Sequence, residues 1–273
     1  MLAAVAAQQM PQVPAQELVR RAIANEDKAN QEHVRLLYRL RTEKSRAGAI
    51  TKELVETNEG VVARLIAIND KPLTAEQRQS DDDRLLKLVS DAQTRTAKRK
   101  QQKEDEERTT RMLKALPDAF LYEYDGFETG KNGQQLIRLK FKPNPKYEAP
   151  NRELQVYYGM KGNMLVDPEQ ERLVRIQAGL FKGVNFGWGI LGHLDPGGQF
   201  EVEQSRVSGD RWEVAAMRLR FTGKIMLLKN LNIDQRETAF DYRRAPDDLN
   251  LAQGIEFLKK QPDYLAEQQN QKR

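Results

Sequence analysis

The 273-residue sequence contains no cysteine, only two histidines and no run of apolar residues long enough to cross a bilayer. Without cysteine, the chain forms no disulfide, has no thiolate nucleophile and builds no cysteine-based zinc site. A membrane-spanning helix needs roughly 20 consecutive, predominantly apolar residues. These absences exclude thiol chemistry, and they exclude a membrane-spanning helix within these residues.

The residues that remain for catalysis or metal binding lack partners at suitable spacing. His33 and His193 have no carboxylates arranged around them as in a metal site or beside a general base, so both are predicted to be surface or structural residues. No serine lies in a nucleophile-elbow or Ser-x-x-Lys context. The three consecutive aspartates at residues 81–83 point in different directions on a helix, and we interpret them as a negative first turn. We therefore predict a protein that is not an enzyme, with no catalytic residues, no metal and no cofactor.

Positive and negative charges are nearly balanced, with 45 Lys and Arg against 40 Asp and Glu, a formal net charge of +5 and a pI of about 9.2. A basic protein is attracted to anionic lipid headgroups and to nucleic acid by the same Coulomb interaction. The most basic run, residues 95–103, is followed at once by the acidic residues 104–107 and lacks aromatic residues on which bases stack. We interpret it as a solvated helix face and expect no nucleic acid partner, while peripheral membrane contact fits the composition.

The first residues resemble the end of a secretory signal. The sequence MLAAVAAQ resembles the last part of an apolar region followed by a small-residue cleavage site, with the junction at residues 4–6 or 5–7. The basic region and most of the apolar region of a complete signal are missing. We expect a periplasmic or otherwise exported protein, and the alternative is an alanine-rich disordered start.

Hydrophobic periodicity predicts a short helix followed by strands. Residues 15–30 carry apolar residues at helical spacing and form an amphipathic helix that lies against a sheet. From residue 34 to residue 41 the period becomes two, with Tyr38 and Leu40 on the apolar side and Arg39 on the polar side. Further strands are predicted at residues 51–58, 61–69, 119–124, 135–142, 153–160, 163–167, 172–178, 199–205, 212–221, 224–229 and 233–242, and a last short helix at residues 249–258.

A long helical segment interrupts the strands. Residues 74–116 contain no glycine or proline and are rich in Ala, Gln, Glu, Lys and Arg, so they form one long helix or two joined helices. Thr74 and Gln77 are spaced as in a capping box. The middle of the segment, residues 93–111, has almost no apolar residues and is predicted to be exposed to solvent. Pro117 is predicted to end the helix.

Together these elements predict a mainly β (α+β) fold. It consists of a curved antiparallel sheet or half-barrel of about a dozen strands, with an N-terminal helix and a long helical crossover. A twisted sheet of that many strands usually curls, closes or splits, which leaves a concave face that something apolar fills. We expect a signal remnant or disordered start over residues 1–12, a single domain over residues 13–245 that includes the helical insertion at 74–116, and a short helix with a polar tail over residues 246–273.

A glycine-rich segment matches the spacing of a dinucleotide fingerprint. Its glycines at residues 187–192 follow the G-x-G-x-x-G pattern, but Pro196 and the glycines after it prevent the helix that the motif requires. We therefore expect a flexible or tightly bent loop there in preference to a nucleotide site. Phe186 and Trp188 are interleaved with these glycines, and such apolar residues either plug a core or gate a pocket. We favour the plug.

Two segments resemble a known family. Residues 162–176, GNMLVDPEQERLVRI, are similar to the strand, Asp-turn, strand hairpin of the lipoprotein carrier superfamily of the LolA and LolB type, and Trp212 with Glu213 and Val214 leads into a long strand as in those carriers. The order of elements resembles the family over nearly the whole chain. The long charged helix and the Gly-Trp-Gly loop depart from it. The resemblance implies a half-barrel that holds acyl chains in an apolar cavity, without a cofactor.

The resemblance and the aromatic residues predict a ligand site. We expect a lipid or an acylated protein as partner, held in an apolar cavity of the half-barrel by residues on predicted strands and on the glycine-rich loop. The candidate lining residues are Tyr122, Phe141, Tyr158, Phe186, Trp188, Trp212 and Phe221. The alternative is a non-enzymatic envelope interaction protein that docks partners through the charged helix at residues 93–111.

Overall fold

The computed structural model describes residues 11–29, 34–186, 192–208, 211–225 and 229–262. The candidate signal remnant, His33 and Trp188 lie outside these residues. The described residues form four α-helices, one 3-10 helix and thirteen strands. The elements are α1 (Ala15–Ala29), β1 (Leu36–Lys44), β2 (Gly48–Thr57), β3 (Gly60–Ile68), β4 (Lys71–Pro72), α2 (Ala75–Ser90), α3 (Ala92–Ala119), β5 (Phe120–Thr129), β6 (Gln135–Pro143), the 3-10 helix (Glu153–Gly159), β7 (Met160–Asp167), β8 (Arg172–Leu180), β9 (Val184–Phe186), β10 (Gly192–Leu194), β11 (Gln199–Ser208), β12 (Arg211–Ile225), β13 (Lys229–Arg244) and α4 (Leu251–Lys259).

The predicted fold class is confirmed. The chain is mainly β with antiparallel strands, it begins with an amphipathic helix, and a long helical segment joins β4 to β5. The strands number about a dozen, as their alternating pattern predicts. Within the described residues, no helix is long and apolar enough to cross a membrane.

Contacts divide the chain into two compact units. Unit 1 comprises residues 1–28, 112–199 and 222–231, and unit 2 comprises residues 29–111, 200–221 and 232–273. The expectation of a single domain over residues 13–245 therefore stays a prediction.

Unit 1 is built on the strand order β8-β7-β6-β5, in which every neighbouring pair is antiparallel. Helix α1 belongs to this unit and buries Leu18, Val19, Ala22 and Ile23. These residues recur at the three- and four-residue spacing that puts side chains on one helical face. The amphipathic helix predicted from residues 15–30 is therefore confirmed.

Unit 2 contains the strand order β4-β3-β2-β1-β13-β12-β11, apart from the end residues of β11, β12 and β13 that belong to unit 1. Helices α2 and α4 cover one face of β1, β2 and β3, because one hydrophobic cluster joins buried residues from all of them. The cluster consists of Leu37, Val55, Val62, Leu85, Leu88, Ala245, Leu251, Ile255 and Leu258. Residues on the other face of these strands do not belong to this cluster.

The helical segment between β4 and β5 consists of two helices. Thr74 and Gln77 form the predicted capping box at the start of α2. The carboxylate of Asp91 accepts hydrogen bonds from the backbone N–H of Gln93 and the hydroxyl of Thr94. Such bonds stabilise a helix start, so Asp91 interrupts the segment and α3 begins after it. The prediction that Pro117 ends the helix is wrong by two residues, because α3 continues to Ala119 with Pro117 inside its last turn.

Further local predictions from the sequence are wrong as well. Residues 153–159 form a 3-10 helix instead of a strand. The aspartates at residues 81–83 do not lie in the first turn, since α2 begins at Ala75 and carries only Glu76 as an acidic residue there. Arg39 lies on a buried side of β1 instead of a polar one, because Glu53 and Asp241 neutralise its charge within the fold.

Candidate functional site

A groove runs across β1, β13 and β12 of unit 2, on the face away from α2 and α4. It has a volume of about 160 Å³. Apolar and small side chains of all three strands line most of it, with two tyrosines and two glutamates among them. The lining residues are Tyr38, Leu40, Glu213, Val214, Ala215, Ala216, Met217, Glu237, Ala239 and Tyr242. We call this feature the strand groove.

The apolar residues of the strand groove are only partly covered by protein. Of the described side chains on β12 and β13, only Trp212 and Gly223 are buried. Met217 and Ala239 are half-buried, although both belong to apolar residue types that fold into cores. Both strands, of 15 and 16 residues, therefore carry apolar side chains that the described residues cover only in part.

Two tyrosines of the groove lining form a stacked pair. The rings of Tyr38 and Tyr242 stack with centroids 5.2 Å apart, and the Tyr242 hydroxyl donates a hydrogen bond of 2.9 Å to the carbonyl of Val214. Burial raises the pKa of both hydroxyls above its usual range, and neighbouring glutamates add to the rise. Both hydroxyls therefore stay neutral across the physiological pH range.

The glutamates in and beside the groove accept hydrogen bonds or form ion pairs with other side chains of the protein. Arg211 pairs with Glu213 at 2.6 Å and with Glu56 at 3.2 Å. Glu237 accepts hydrogen bonds from Gln235 at 2.8 Å and from Thr42 at 3.3 Å. Burial raises the pKa of Glu56 above that of an exposed carboxyl. These contacts give the carboxylates structural roles, and they leave the groove with more negative than positive charge.

Tyr122 and Phe141, two of the predicted lining residues, lie together in unit 1. Their rings are 6.0 Å apart, and both contact Phe120. Phe120 also contacts Tyr157, whose hydroxyl donates to the carbonyl of Met112. The Tyr122 hydroxyl donates a hydrogen bond of 2.9 Å to the carbonyl of Leu116. In unit 1, these two side chains are thus packed against other aromatic rings, and their role in ligand binding stays a prediction.

The other predicted lining residues are spread over different elements. Tyr158 lies on the 3-10 helix, where its hydroxyl accepts a hydrogen bond from the backbone N–H of Ala149. Phe186 ends β9 and is half-buried. Trp212 is buried at the start of β12. Phe221 is half-buried on the same strand, and alternation places it on the face of Met217. Phe221 thus shares the face of β12 that carries the lining residues Glu213, Ala215 and Met217.

His193 has polar neighbours that the sequence spacing did not reveal. Its Nδ1 lies 2.7 Å from Oδ1 of Asn185, and its Nε2 lies 3.3 Å from Oδ1 of Asp195. Antiparallel pairing of β9 and β10 sets His193 opposite Asn185. A carboxylate therefore does lie beside this histidine. The described part of the chain contains no group of three or more His, Cys, Asp or Glu residues that would hold a metal ion.

Two buried ion pairs were missed from the sequence. In unit 1, Arg172 binds Glu26 through two hydrogen bonds of 2.8 and 2.9 Å, and the backbone N–H of Leu173 donates to the same carboxylate. In unit 2, Arg39 lies 3.2 Å from Glu53 and 2.8 Å from Asp241. Glu26 is one charged residue among several on a polar-looking helix, so no pattern in the sequence distinguishes it.

The predicted exposure of residues 93–111 is only partly correct. Lys98 and Gln102 both donate hydrogen bonds to the carbonyl of Val61 in β3, at 2.7 and 3.1 Å. Their spacing of four residues puts them on one face of α3, which therefore lies along unit 2. The side chains of residues 103–109 are all exposed. Docking through the charged helix stays a prediction for that segment.

The contact of Lys98 with β3 makes stability depend on pH. Burial, with smaller contributions from Arg84 and Lys52, lowers the pKa of Lys98 from 10.5 to about 8. Between these two values the unfolded chain holds a proton that the folded chain has lost, so the free energy of unfolding rises with pH. We expect wild-type protein to gain stability relative to Lys98→Met between about pH 8 and pH 10, measured by urea unfolding.

The matched control for this prediction is Lys103→Met. Lys103 lies on the same helix but is exposed, so its replacement leaves the slope of stability against pH unchanged. Parallel stability curves for wild-type protein and Lys98→Met would contradict the prediction.

Comparison of the chain with known proteins found similarity among solved structures. No family model matches the chain, and no curated protein matches it. A domain from Vibrio parahaemolyticus, described as an outer membrane lipoprotein-sorting protein domain, is similar over 88% of this chain and 98% of its own, with 11% identity and a TM-score of 0.32. A DUF1329 family protein from Desulfovibrio piger is similar over 90% of this chain and 99% of its own, with 9% identity and a TM-score of 0.31.

Proposed function

We propose that this chain is an exported, non-enzymatic carrier that holds an acyl chain of a lipid or of an acylated protein in the strand groove. The observation that carries the proposal is the half-covered apolar face of β12 and β13. Such long strands bury almost no side chain within the described residues, and an acyl chain is an occupant that would complete their burial.

The size and chemistry of the groove support an apolar occupant. Its 160 Å³ is close to that of an engineered apolar cavity of about 150 Å³ that binds benzene, so it accommodates a segment of a chain and not a whole lipid. Each methylene group removed from water contributes about 0.8 kcal/mol. A segment of a few methylene groups thus provides a useful affinity without any charged contact.

The charge around the groove supports an acyl chain that lacks a free carboxylate. Glu213, Glu237 and Glu56 lie near it, whereas Arg211 is the basic residue paired with two of them. These glutamates would therefore repel an anionic headgroup, because like charges raise the free energy of a close approach. We propose an ester-linked or amide-linked acyl chain over a free fatty acid.

Filling the groove tests this proposal. We expect Ala239→Trp to weaken binding of a fluorescent acyl ester by at least about tenfold, because the indole occupies space that the ligand needs, and tenfold corresponds to about 1.4 kcal/mol. The measurement is a fluorescence titration, together with native mass spectrometry of protein purified from membranes. Wild-type protein is expected to retain lipid and to bind the ester more tightly than the free fatty acid.

The control variant is Arg220→Trp, on the same sheet. Arg220 is exposed and is not among the residues that line the strand groove, so the same bulk there leaves binding unchanged. Equal affinity of the two variants, with equal melting temperatures, would rule out the strand groove as the ligand site. Fractionation of cells that express the full-length protein tests export, and recovery from the periplasm is the expected result.

A further inference from the structure

The outer face of the sheet in unit 1 carries a row of basic and apolar side chains. Leu121 on β5 pairs with Lys142 on β6, and Phe141 pairs with Gly162 on β7, which brings Lys161 beside Lys142. Because residues that lie opposite each other in neighbouring antiparallel strands point to the same side of the sheet, their side chains share one face. This face is opposite to that of Tyr122 and Phe141, which pack into the aromatic cluster.

Exposed apolar residues flank the lysines on this face. Phe181 is 45% exposed and Leu121 is 40% exposed. The ammonium groups of Lys161 and Lys182 lie 5.3 and 5.7 Å from the centroid of the Phe181 ring. Two cations thus surround an aromatic ring that is open to solvent, an arrangement in which the lysine stems and the ring form one continuous amphipathic surface.

The charge of this face is positive. Lys142 lies 3.1 Å from Glu123, and Lys140 pairs with Asp125. Among the ion pairs of the described residues, neither Lys161 nor Lys182 has a carboxylate partner. The two acidic residues therefore neutralise only part of the charge of the four lysines.

An open groove lies between these side chains. Its volume is about 380 Å³, larger than that of the strand groove. Its lining includes Leu121, Glu123, Lys140, Lys142, Lys161 and Asn163, which lie on this face. The lysine amines at its rim favour an anionic group as the occupant. The apolar residues beside them favour a partner surface that is partly apolar.

We propose that this face, defined by Leu121, Lys140, Lys142, Lys161, Phe181 and Lys182, docks on the surface of a bilayer that contains anionic lipids. Each lysine near such a surface strengthens binding about fivefold, and the attraction falls off within a Debye length. Phe181 and Leu121 reach the boundary between headgroups and acyl chains, where exposed aromatic and aliphatic residues are stabilised. Nucleic acid fits less well, because Phe181 is a single ring and not a series of stacking platforms.

Vesicle flotation tests the proposal. We expect the full chain to float with vesicles of phosphatidylcholine and phosphatidylglycerol, and to remain behind with vesicles of phosphatidylcholine alone. The double variant Lys161→Gln/Lys182→Gln is expected to lose about tenfold or more in affinity for the anionic vesicles, and Phe181→Ser to weaken binding at both low and high salt. Added salt is expected to weaken the wild-type interaction.

The matched control is Lys100→Gln/Lys103→Gln, which removes the same charge from exposed positions of α3. Equal losses in the two double variants would show attraction by net charge alone and would overturn the proposal. Binding to a short DNA duplex without binding to anionic vesicles would overturn it as well. Ala239→Trp fills the strand groove in unit 2 and leaves flotation unchanged, so failure of carrier function and failure of membrane docking give different results.

Discussion

Glu26→Ala is expected to lower the free energy of unfolding by about 3–5 kcal/mol, because it leaves the buried guanidinium of Arg172 without its main partner. The side chains of Glu26 and Arg172 are only 6% and 8% exposed. The carboxylate also accepts the backbone N–H of Leu173 at 3.2 Å, so the variant loses three hydrogen bonds. Urea unfolding followed by circular dichroism measures the change.

Two further variants make this expectation specific to the buried pair. Glu17→Ala removes a carboxylate from the same helix, but its pairs with Arg20 and Arg21 are exposed and are expected to contribute little to the free energy of unfolding. Glu26→Met/Arg172→Met removes both charges, and it is expected to recover much of the stability, because apolar replacement of a buried pair is often neutral. A double variant as unstable as Glu26→Ala would show that packing and not charge is lost.

Phe120→Ala is expected to destabilise the protein by about 3–5 kcal/mol, the usual cost of truncating a buried phenylalanine. The ring lies 4.8 Å from Phe141, 5.0 Å from Tyr157 and 6.4 Å from Tyr122, centroid to centroid. It is almost completely buried. Its removal therefore leaves a cavity at the centre of the aromatic cluster. Thermal and urea unfolding measure the effect.

The next residue along the chain provides the control, since Leu121 points to the opposite face and is partly exposed. Leu121→Ala is expected to cost no more than about 1 kcal/mol. Ligand binding by Phe120→Ala then separates two hypotheses. If acyl chains bind in the strand groove, the affinity stays unchanged, whereas a ligand site lined by Tyr122 and Phe141 would gain space and change its affinity.

Local elements were predictable because they depend on neighbours along the chain. A hydrophobic period of 3.6 residues predicted α1, and a hydrophobic period of two residues predicted most strands. Thr74 and Gln77 form the predicted capping box, because the atoms involved are three residues apart. The 3-10 helix at Glu153–Gly159 was not predictable in this way. Its tyrosines suit a strand equally well, and Tyr157 is fixed by contacts with Phe120 and Met112 from distant parts of the chain.

The sequence predicted the apolar chemistry of the candidate site but not its location. Aromatic strand residues indicated an apolar surface, yet Tyr122 and Phe141 lie in a packed cluster, while the strand groove contains Leu40, Met217 and Ala239. Single strands do not reveal which of their two faces is covered, because the covering helices come from elsewhere in the sequence. Lys161 and Phe181 likewise become neighbours only through the pairing of β7 with β8.

The sequence by itself determined the absence of cysteine chemistry, the mainly β character, the order of most helices and strands and the near balance of charges. These properties follow from composition and from short-range periodicity. Only the tertiary structure decided that Glu26 meets Arg172, that Arg39 is buried between Glu53 and Asp241, and that β12 and β13 keep an apolar face partly open. The physical reason is that burial and charge pairing depend on residues up to about 200 positions apart, as for Arg39 and Asp241, and such pairs have no spacing that a local pattern records.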